Sequence, residues 1–145
     1  MKDAKLLTIC LGSILILTPI MFQSPSYIFA VVRTPLVYHL SSDEPWRATV
    51  AISDATNMLK LGHNVTLLLS IEGVQIGVKN PHHYLGLDML TRNVTNFMAA
   101  GGRVIICEVC LRIAGYTSND ILPGAIVGKP IIISNLLNNA TVIDY

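Results

Sequence analysis

The sequence is poor in charged residues and has no block of like charge. Only 13% of its 145 residues are Asp, Glu, Lys or Arg, against roughly 25% in an average soluble domain. From Val31 onward, eight basic residues balance eight acidic ones, so this part of the chain carries no net charge. A nucleic-acid-binding surface needs a basic patch or stripe, and none is visible. We therefore expect no nucleic-acid partner.

Cysteine is also scarce, and two of the three cysteines form a single C-x-x-C pair, Cys107 and Cys110. This spacing is typical of redox dithiols and of half a zinc site. A zinc site needs two further ligands, and the sequence has no second pair. His39, His82 and His83 are the remaining candidates, but no spacing demands their participation. We expect no metal and no other cofactor, and metal binding through the cysteine pair stays a minor alternative.

Charge is absent altogether from residues 6–22, which follow Lys2 and Lys5. A short basic start before an apolar run is typical of a secretory signal, and the run is short for a bilayer span of about 20 residues. We predict that residues 1–30 are a cleaved signal peptide, or alternatively a retained membrane anchor, ahead of a domain at 31–145. The protein would be extracytoplasmic, secreted or anchored, and would contact the membrane only through this segment. Cys10 inside the run has no predicted role, and export would make three sequons possible glycan acceptors, at Asn64, Asn93 and Asn139.

Strand and helix patterns alternate through the rest of the chain. Short apolar runs predict strands at Leu36–Leu40, at Val65–Leu69, at residues 104–106 running into Cys107, and at residues 125–127 and 140–143. Helical spacing predicts three helices, the first from Pro45 to Gly62 behind a Ser or Asp cap, the second over residues 87–98 and the third over residues 130–137. Residues 73–79 are predicted to form one or two helical turns. Residues 117–120 have the spacing of a capping box and are predicted to form a turn. Such alternation indicates a single three-layer α/β domain with a mainly parallel sheet of about five strands.

Ligands of open α/β sheets gather beyond the carboxyl ends of the strands. Cys107 ends one predicted strand and begins a helix, where backbone amides favour the thiolate. We therefore predict Cys107 and its partner Cys110 as the catalytic residues, either as a dithiol or as a disulfide after export. The alternative is a buried structural cysteine. The predicted binding residues lie at strand ends or near the thiol, namely His39, Ser41, Glu72 and Arg112.

Residues 107–116 (CEVCLRIAGY), followed by residues 120–124 (DILPG), resemble the signature region of the DsrE/DsrF-like proteins. Residues 72–79 (EGVQIGVK) resemble the helix that precedes it in that family. The resemblance implies a DsrE-like fold and a persulfide-carrying cysteine eight residues before a glycine, a position that Cys107 occupies before Gly115. It also implies a homo-oligomer, a trimer or a hexamer.

Two functions follow as hypotheses. In the first, Cys107 handles sulfur as a persulfide or by thiol–disulfide exchange, as a possible sulfurtransferase whose donor and acceptor proteins the sequence does not indicate. In the second, the same fold is a non-enzymatic ligand-binding or interaction module with structural cysteines. The predicted export departs from the family's relay members, which work in the cytoplasm, and argues against a role in transfer-RNA thiolation.

Overall fold

Strands and helices alternate along the chain in the computed structural model, which describes residues 33–82 and 87–145. Within these residues the strands are β1 (Leu36–Leu40), β2 (Val65–Leu69), β3 (Arg103–Cys107), β4 (Ile126–Gly128) and β5 (Thr141–Asp144). The α-helices are α1 (Pro45–Lys60), α2 (Leu87–Ala99), α3 (Glu108–Ile113) and α4 (Pro130–Leu137), and a 3₁₀ helix spans Ile71–Gly77.

The five strands form one sheet in the order β4-β3-β2-β1-β5, and every neighbouring pair is parallel. This confirms the predicted α/β class and the five-stranded parallel sheet. Because all the strands run the same way, their carboxyl ends lie along one edge of the sheet. The chain places its strand-to-helix junctions at that edge, where α/β proteins hold their ligands.

The two faces of the sheet are covered unequally. On the face that we call the packed face, helices α1 and α2 and the 3₁₀ helix bury a large cluster that includes Tyr38, Leu67 and Ile106. On the other, which we call the open face, the buried cluster consists of Val37, Leu68 and Ile105. Helix α4 supplies partly buried side chains to that cluster but has no fully buried residue of its own. The open face therefore has room for a cavity.

Helix α1 begins as its proline predicts, but with a different cap. The expected cap was a Ser or Asp, and the structure corrects it to Glu44, whose carboxylate accepts hydrogen bonds from the N–H groups of Trp46 and Arg47 at 3.0 and 2.7 Å. The hydroxyl of Ser42 instead accepts from the N–H of Glu44 at 3.1 Å. A carboxylate satisfies two of the amide donors that every helix start leaves open.

The shorter elements differ from their predicted bounds. The last strand is shifted by one residue to Thr141–Asp144, which places Asp144 inside the sheet. The 3₁₀ helix starts two residues before the predicted turns. Residues 117–120 form a turn in which the Asp120 carboxylate accepts from the N–H and the hydroxyl of Thr117, both at 2.7 Å. The capping-box spacing therefore closes a turn and starts no helix.

The predicted signal or anchor segment and Cys10 lie outside the described residues. Within residues 33–82 and 87–145, no helix is both long and apolar enough to cross a membrane. Export and membrane attachment therefore stay predictions from the sequence.

Candidate functional site

Four polar side chains lie in a row on the open face, at the carboxyl edge of the sheet. Asp144 on β5 is paired in register with His39 on β1. Ser70 follows β2 and Cys107 ends β3, one residue beyond the paired residues Leu69 and Ile106. Side chains alternate between faces along a strand, so these four share the face of Val37, Leu68 and Ile105. Four neighbouring strands thus each contribute one chemically active group.

His39 is hydrogen-bonded on both sides of its ring. Its Nδ1 lies 2.6 Å from Oδ1 of Asp144, and its Nε2 lies 2.6 Å from Oγ of Ser70. A carboxylate only accepts hydrogen bonds, so Nδ1 carries the proton that is donated to Asp144. In the neutral imidazole, Nε2 is then free to accept the proton of the Ser70 hydroxyl. Asp144, His39 and Ser70 thus form a hydrogen-bonded Asp–His–Ser chain at the carboxyl edge of the sheet.

Cys107 lines a cavity together with His39 and Ser70. The cavity has a volume of about 340 Å³ and lies between the open face of the sheet and α4. Its polar lining is His39, Ser70 and Cys107, and the rest is apolar, from Leu68, Ile133, Leu137 and Val142. A largely apolar cavity with a few convergent polar groups is the usual form of a small-molecule site. We take it as the candidate active site.

The two cysteines of the C-x-x-C pair are both free and differ in setting. Cys107 is the N-cap of α3, and its Sγ accepts a hydrogen bond from the N–H of Cys110 at 3.3 Å. Burial, and next the hydrogen bond with the Cys107 side chain, raise the pKa of the Cys110 thiol. Cys110 therefore holds its proton, while an amide donor meets any charge that develops on Cys107.

Cys110 lines a second cavity, of about 280 Å³. Ile71, Glu72 and Ile113 are among its other lining residues. The two cysteines therefore line different cavities.

The structure brings together some of the predicted site residues and separates others. His39 and Cys107 line one cavity, and Glu72 lines the other with Cys110. Ser41 is in neither, and its hydroxyl donates to the carbonyl oxygen of Tyr145 at 3.0 Å. Arg112 lies exposed in the last turn of α3 and lines neither of the two cavities.

Sequence reasoning missed two members of the site, Ser70 and Asp144. Ser70 directly follows the predicted strand Val65–Leu69. Because side chains two residues apart on a strand point to the same face, Ser70 shares the open face with Leu68. Asp144 lies 105 positions from its partner His39 and gives no local signal, because only the pairing of β5 with β1 brings the two together.

Metal ligands do not gather in the part of the chain that the structure describes. Among these residues no group of three or more His, Cys, Asp or Glu side chains could hold a metal ion. The ring of His82 stacks on Tyr116, with centroids 4.3 Å apart, and its backbone N–H donates to the Tyr116 hydroxyl at 2.6 Å. His83 lies outside the described residues.

The fold is similar to two solved structures of low sequence identity. One is a protein of unknown function, MTH1491, from Methanobacterium thermoautotrophicum, with 19% identity and a TM-score of 0.66 over 78% of this chain and 100% of that chain. The other is the ychN protein from E. coli, with 14% identity and a TM-score of 0.62 over the same shares. Both belong to the DsrE/DsrF-like fold family. No family model and no curated protein matches the chain, so the comparison shows the fold alone.

Proposed function

We propose that this protein is a DsrE-like sulfur-handling protein in which Cys107 takes up sulfane sulfur as a persulfide. The observation that carries the proposal is the placement of the Cys107 thiol in a cavity of about 340 Å³ beside His39 and Ser70. A sulfur carrier needs an accessible thiol that ionises on attack. The cavity supplies access for a small molecule, and the Cys110 amide faces the developing charge.

The transfer is a displacement on sulfur with no net oxidation. The Cys107 thiolate attacks the outer sulfur of a donor persulfide, R–S–SH. A bond forms between Sγ and that sulfur while the S–S bond of the donor breaks. The leaving thiolate RS⁻ takes up the proton that Cys107 lost, so the products are RSH and a Cys107 persulfide.

Cys110 fits the role of the resolving thiol. Its raised pKa keeps it protonated while Cys107 reacts. It can later attack the inner sulfur of the persulfide, which forms a Cys107–Cys110 disulfide and releases the outer sulfur as sulfide. In this step the outer sulfur is reduced and the two cysteines are oxidised. Thiol–disulfide exchange at the same pair is thus the second half of the proposed chemistry.

Intact mass spectrometry after incubation with glutathione persulfide tests the proposal. We expect the wild-type protein to gain the mass of one sulfur atom and to lose it on reduction. Cys107→Ser abolishes the gain. Cys110→Ser is the matched control, because it removes the neighbouring thiol and leaves the adduct in place for longer. A wild-type protein that stays folded and gains no sulfur would contradict the proposal.

The apolar lining of the cavity favours a second candidate, a non-enzymatic ligand-binding module. Leu68, Ile133, Leu137 and Val142 would bury a small apolar ligand without any covalent step. On this candidate, Cys107→Ser binds such a ligand as tightly as the wild type, and the native thiols resist alkylation. Titration of the thiols in the folded protein, with and without reductant, separates the two candidates.

Self-association is the partner class that we propose. Ile71 and Ile113 line the second cavity and are exposed, as is Val109 on α3, and Ile113 is 82% exposed. A second copy of the chain would remove this apolar surface from water at about 25 cal/mol per Å². Ile113→Ser should lower the mass found by analytical ultracentrifugation, and Ile131→Ser on α4 is the control. A monomeric wild-type protein would contradict the proposal.

An extracytoplasmic location is proposed on the composition of residues 1–22 alone. In an oxidising compartment a Cys107–Cys110 disulfide would compete with the persulfide. Persulfide transfer would then require Cys107 and Cys110 to be reduced when the sulfur donor binds. Fractionation of cells that produce the full chain tests the location.

A further inference from the structure

The chain of hydrogen bonds from Asp144 through His39 ends at a hydroxyl beside the thiol. Ser70 and Cys107 follow the registered pair Leu69 and Ile106 on adjacent strands, and adjacent strands lie about 4.8 Å apart. Both side chains face the same cavity. Ser70 therefore lines the cavity together with Cys107, and its hydroxyl is hydrogen-bonded to the imidazole of His39.

We propose that Asp144, His39 and Ser70 form a proton relay that serves the thiol of Cys107. The inference rests on the proposed function and deepens it, because it assigns the group that removes and returns the proton of the sulfur-transfer step. Each hydrogen bond of the relay is short, at 2.6 Å, and each donor faces an acceptor once Nδ1 carries the imidazole proton.

The relay completes the proton balance of the transfer. As Cys107 attacks the donor, its S–H proton passes to Oγ of Ser70 while the hydroxyl proton passes to Nε2 of His39. The resulting imidazolium is stabilised by the Asp144 carboxylate. When the donor S–S bond breaks, Ser70 protonates the leaving RS⁻ and recovers a proton from His39. The relay ends in its starting state.

A serine hydrolase is the other chemistry that an Asp–His–Ser chain can perform, and the local backbone argues against it. Acyl transfer needs amide donors aimed at the developing oxyanion. The amide of Cys110 already donates to the sulfur of Cys107 at 3.3 Å. The serine is therefore better placed to pass a proton than to carry an acyl group.

Among residues 33–82 and 87–145, few other titratable groups face the relay. On the cavity side, α4 contributes only Ile133 and Leu137, and β5 contributes Val142. Asp144 lies at the rim, with its side chain 72% exposed, and the His39 side chain is 28% exposed. Cys110 and Glu108 are the ionisable neighbours of Cys107 on α3. His39 is therefore the histidine that lines the cavity beside Cys107.

The pH dependence of Cys107 alkylation tests the relay without any sulfur donor. We would measure the rate of modification by iodoacetamide at Cys107, resolved by peptide mass spectrometry, between about pH 5 and 9, a range in which histidine changes its charge. The wild-type rate should show a limb at the lower pH that is lost in His39→Gln and in Ser70→Ala. The loss near neutrality should be about 10²-fold, the scale of general acid–base catalysis.

Asp144→Asn and two controls complete the experiment. Asp144→Asn is isosteric and lies at the exposed rim, so it keeps the fold and should cause a smaller loss of rate. If His39→Gln does not fold, Asp144→Asn alone tests the relay. His63→Gln and Ser53→Ala replace a histidine and a serine outside the cavity, and both should match the wild type.

The outcomes separate the relay from the proposed function. If the pH limb is unchanged in the folded relay variants, the relay is wrong, whether or not sulfur is taken up. If the limb is lost while the wild type gains no sulfur from glutathione persulfide, the relay stands and the persulfide proposal falls. If the wild type hydrolyses an ester and the His39, Ser70 and Asp144 variants do not, these three residues act in acyl transfer and the relay proposal is overturned.

Discussion

The two faces of the sheet differ in what they bury and in what they leave open. The packed face is covered by α1, α2 and the 3₁₀ helix, and residues such as Tyr38, Leu67 and Ile106 are at most 1% exposed there. Within the described residues, the open face has a small buried cluster and only α4 above it. The candidate site occupies the place where packing on the open face is incomplete.

Within one strand, adjacent residues serve the core on the packed face and the candidate site on the open face. Tyr38 is buried in the packed face, and the next residue, His39, is the centre of the relay. Ile106 is fully buried, and the next residue, Cys107, is the proposed reactive thiol. Since side chains alternate along a strand, the core that fixes the strands also fixes the four polar groups. The site gains precision from packing on the opposite face.

The largest expected effect comes from two adjacent leucines of β2 on opposite faces. Leu67→Ala empties a fully buried site of the packed face and should lower the free energy of unfolding by about 4 kcal/mol. Leu68 borders the existing cavity, so Leu68→Ala should cost about 2 kcal/mol, close to the transfer free energy alone. Urea unfolding monitored by circular dichroism measures both.

The same pair of variants tests the division of tasks. Leu68→Ala should change the rate of Cys107 alkylation, since it enlarges the cavity that holds the thiol. Leu67→Ala should leave that rate near the wild-type value while the protein is folded. Equal losses of stability in the two variants would mean that the open face is as tightly packed as the other.

The sequence was sufficient for the elements and for part of the site. The apolar runs predict β1 and β2 with their observed bounds, and the strand ends point to His39 and Cys107. Alternation would also have placed Ser70 on the open face. Asp144 was beyond reach because its role depends on the order of the strands. Local periodicity determines which residues share a face, and only tertiary pairing determines which strand ends are neighbours.

The next effect concerns the tyrosine of the packed face. Burial, and next the charge of Asp54 and a hydrogen bond to it at 3.2 Å, raise the pKa of Tyr38 to about 12. The unfolded chain ionises nearer the ordinary value of 10.0, so stability is full below that pH and falls as the pH rises toward 12. Tyr38→Phe should flatten this decline in urea unfolding at alkaline pH.

Tyr145 provides the matched control for Tyr38. Its hydroxyl also donates to Asp54, at 3.1 Å, and its pKa is raised by burial, by the same hydrogen bond and by the charge of Asp54. Tyr145→Phe should remove a smaller share of the alkaline decline. A decline that is unchanged in Tyr38→Phe would show that Tyr38 ionises alike in the folded and unfolded chains.

The smallest effect is expected at the cap of α1, a helix that covers the packed face. Backbone N–H groups of Arg47 and then of Trp46 lower the pKa of Glu44, so its contribution to stability is present above the ordinary value of 4.5 and is lost as the pH falls through the lowered one. The carboxylate is exposed, which keeps the effect small. Glu44→Gln should flatten the acid side of a plot of melting temperature against pH, and Glu44→Asp should restore the slope because Asp is a good N-cap. Alkylation of Cys107 should be the same in all three proteins, and a difference would mean that the packed face controls the thiol directly.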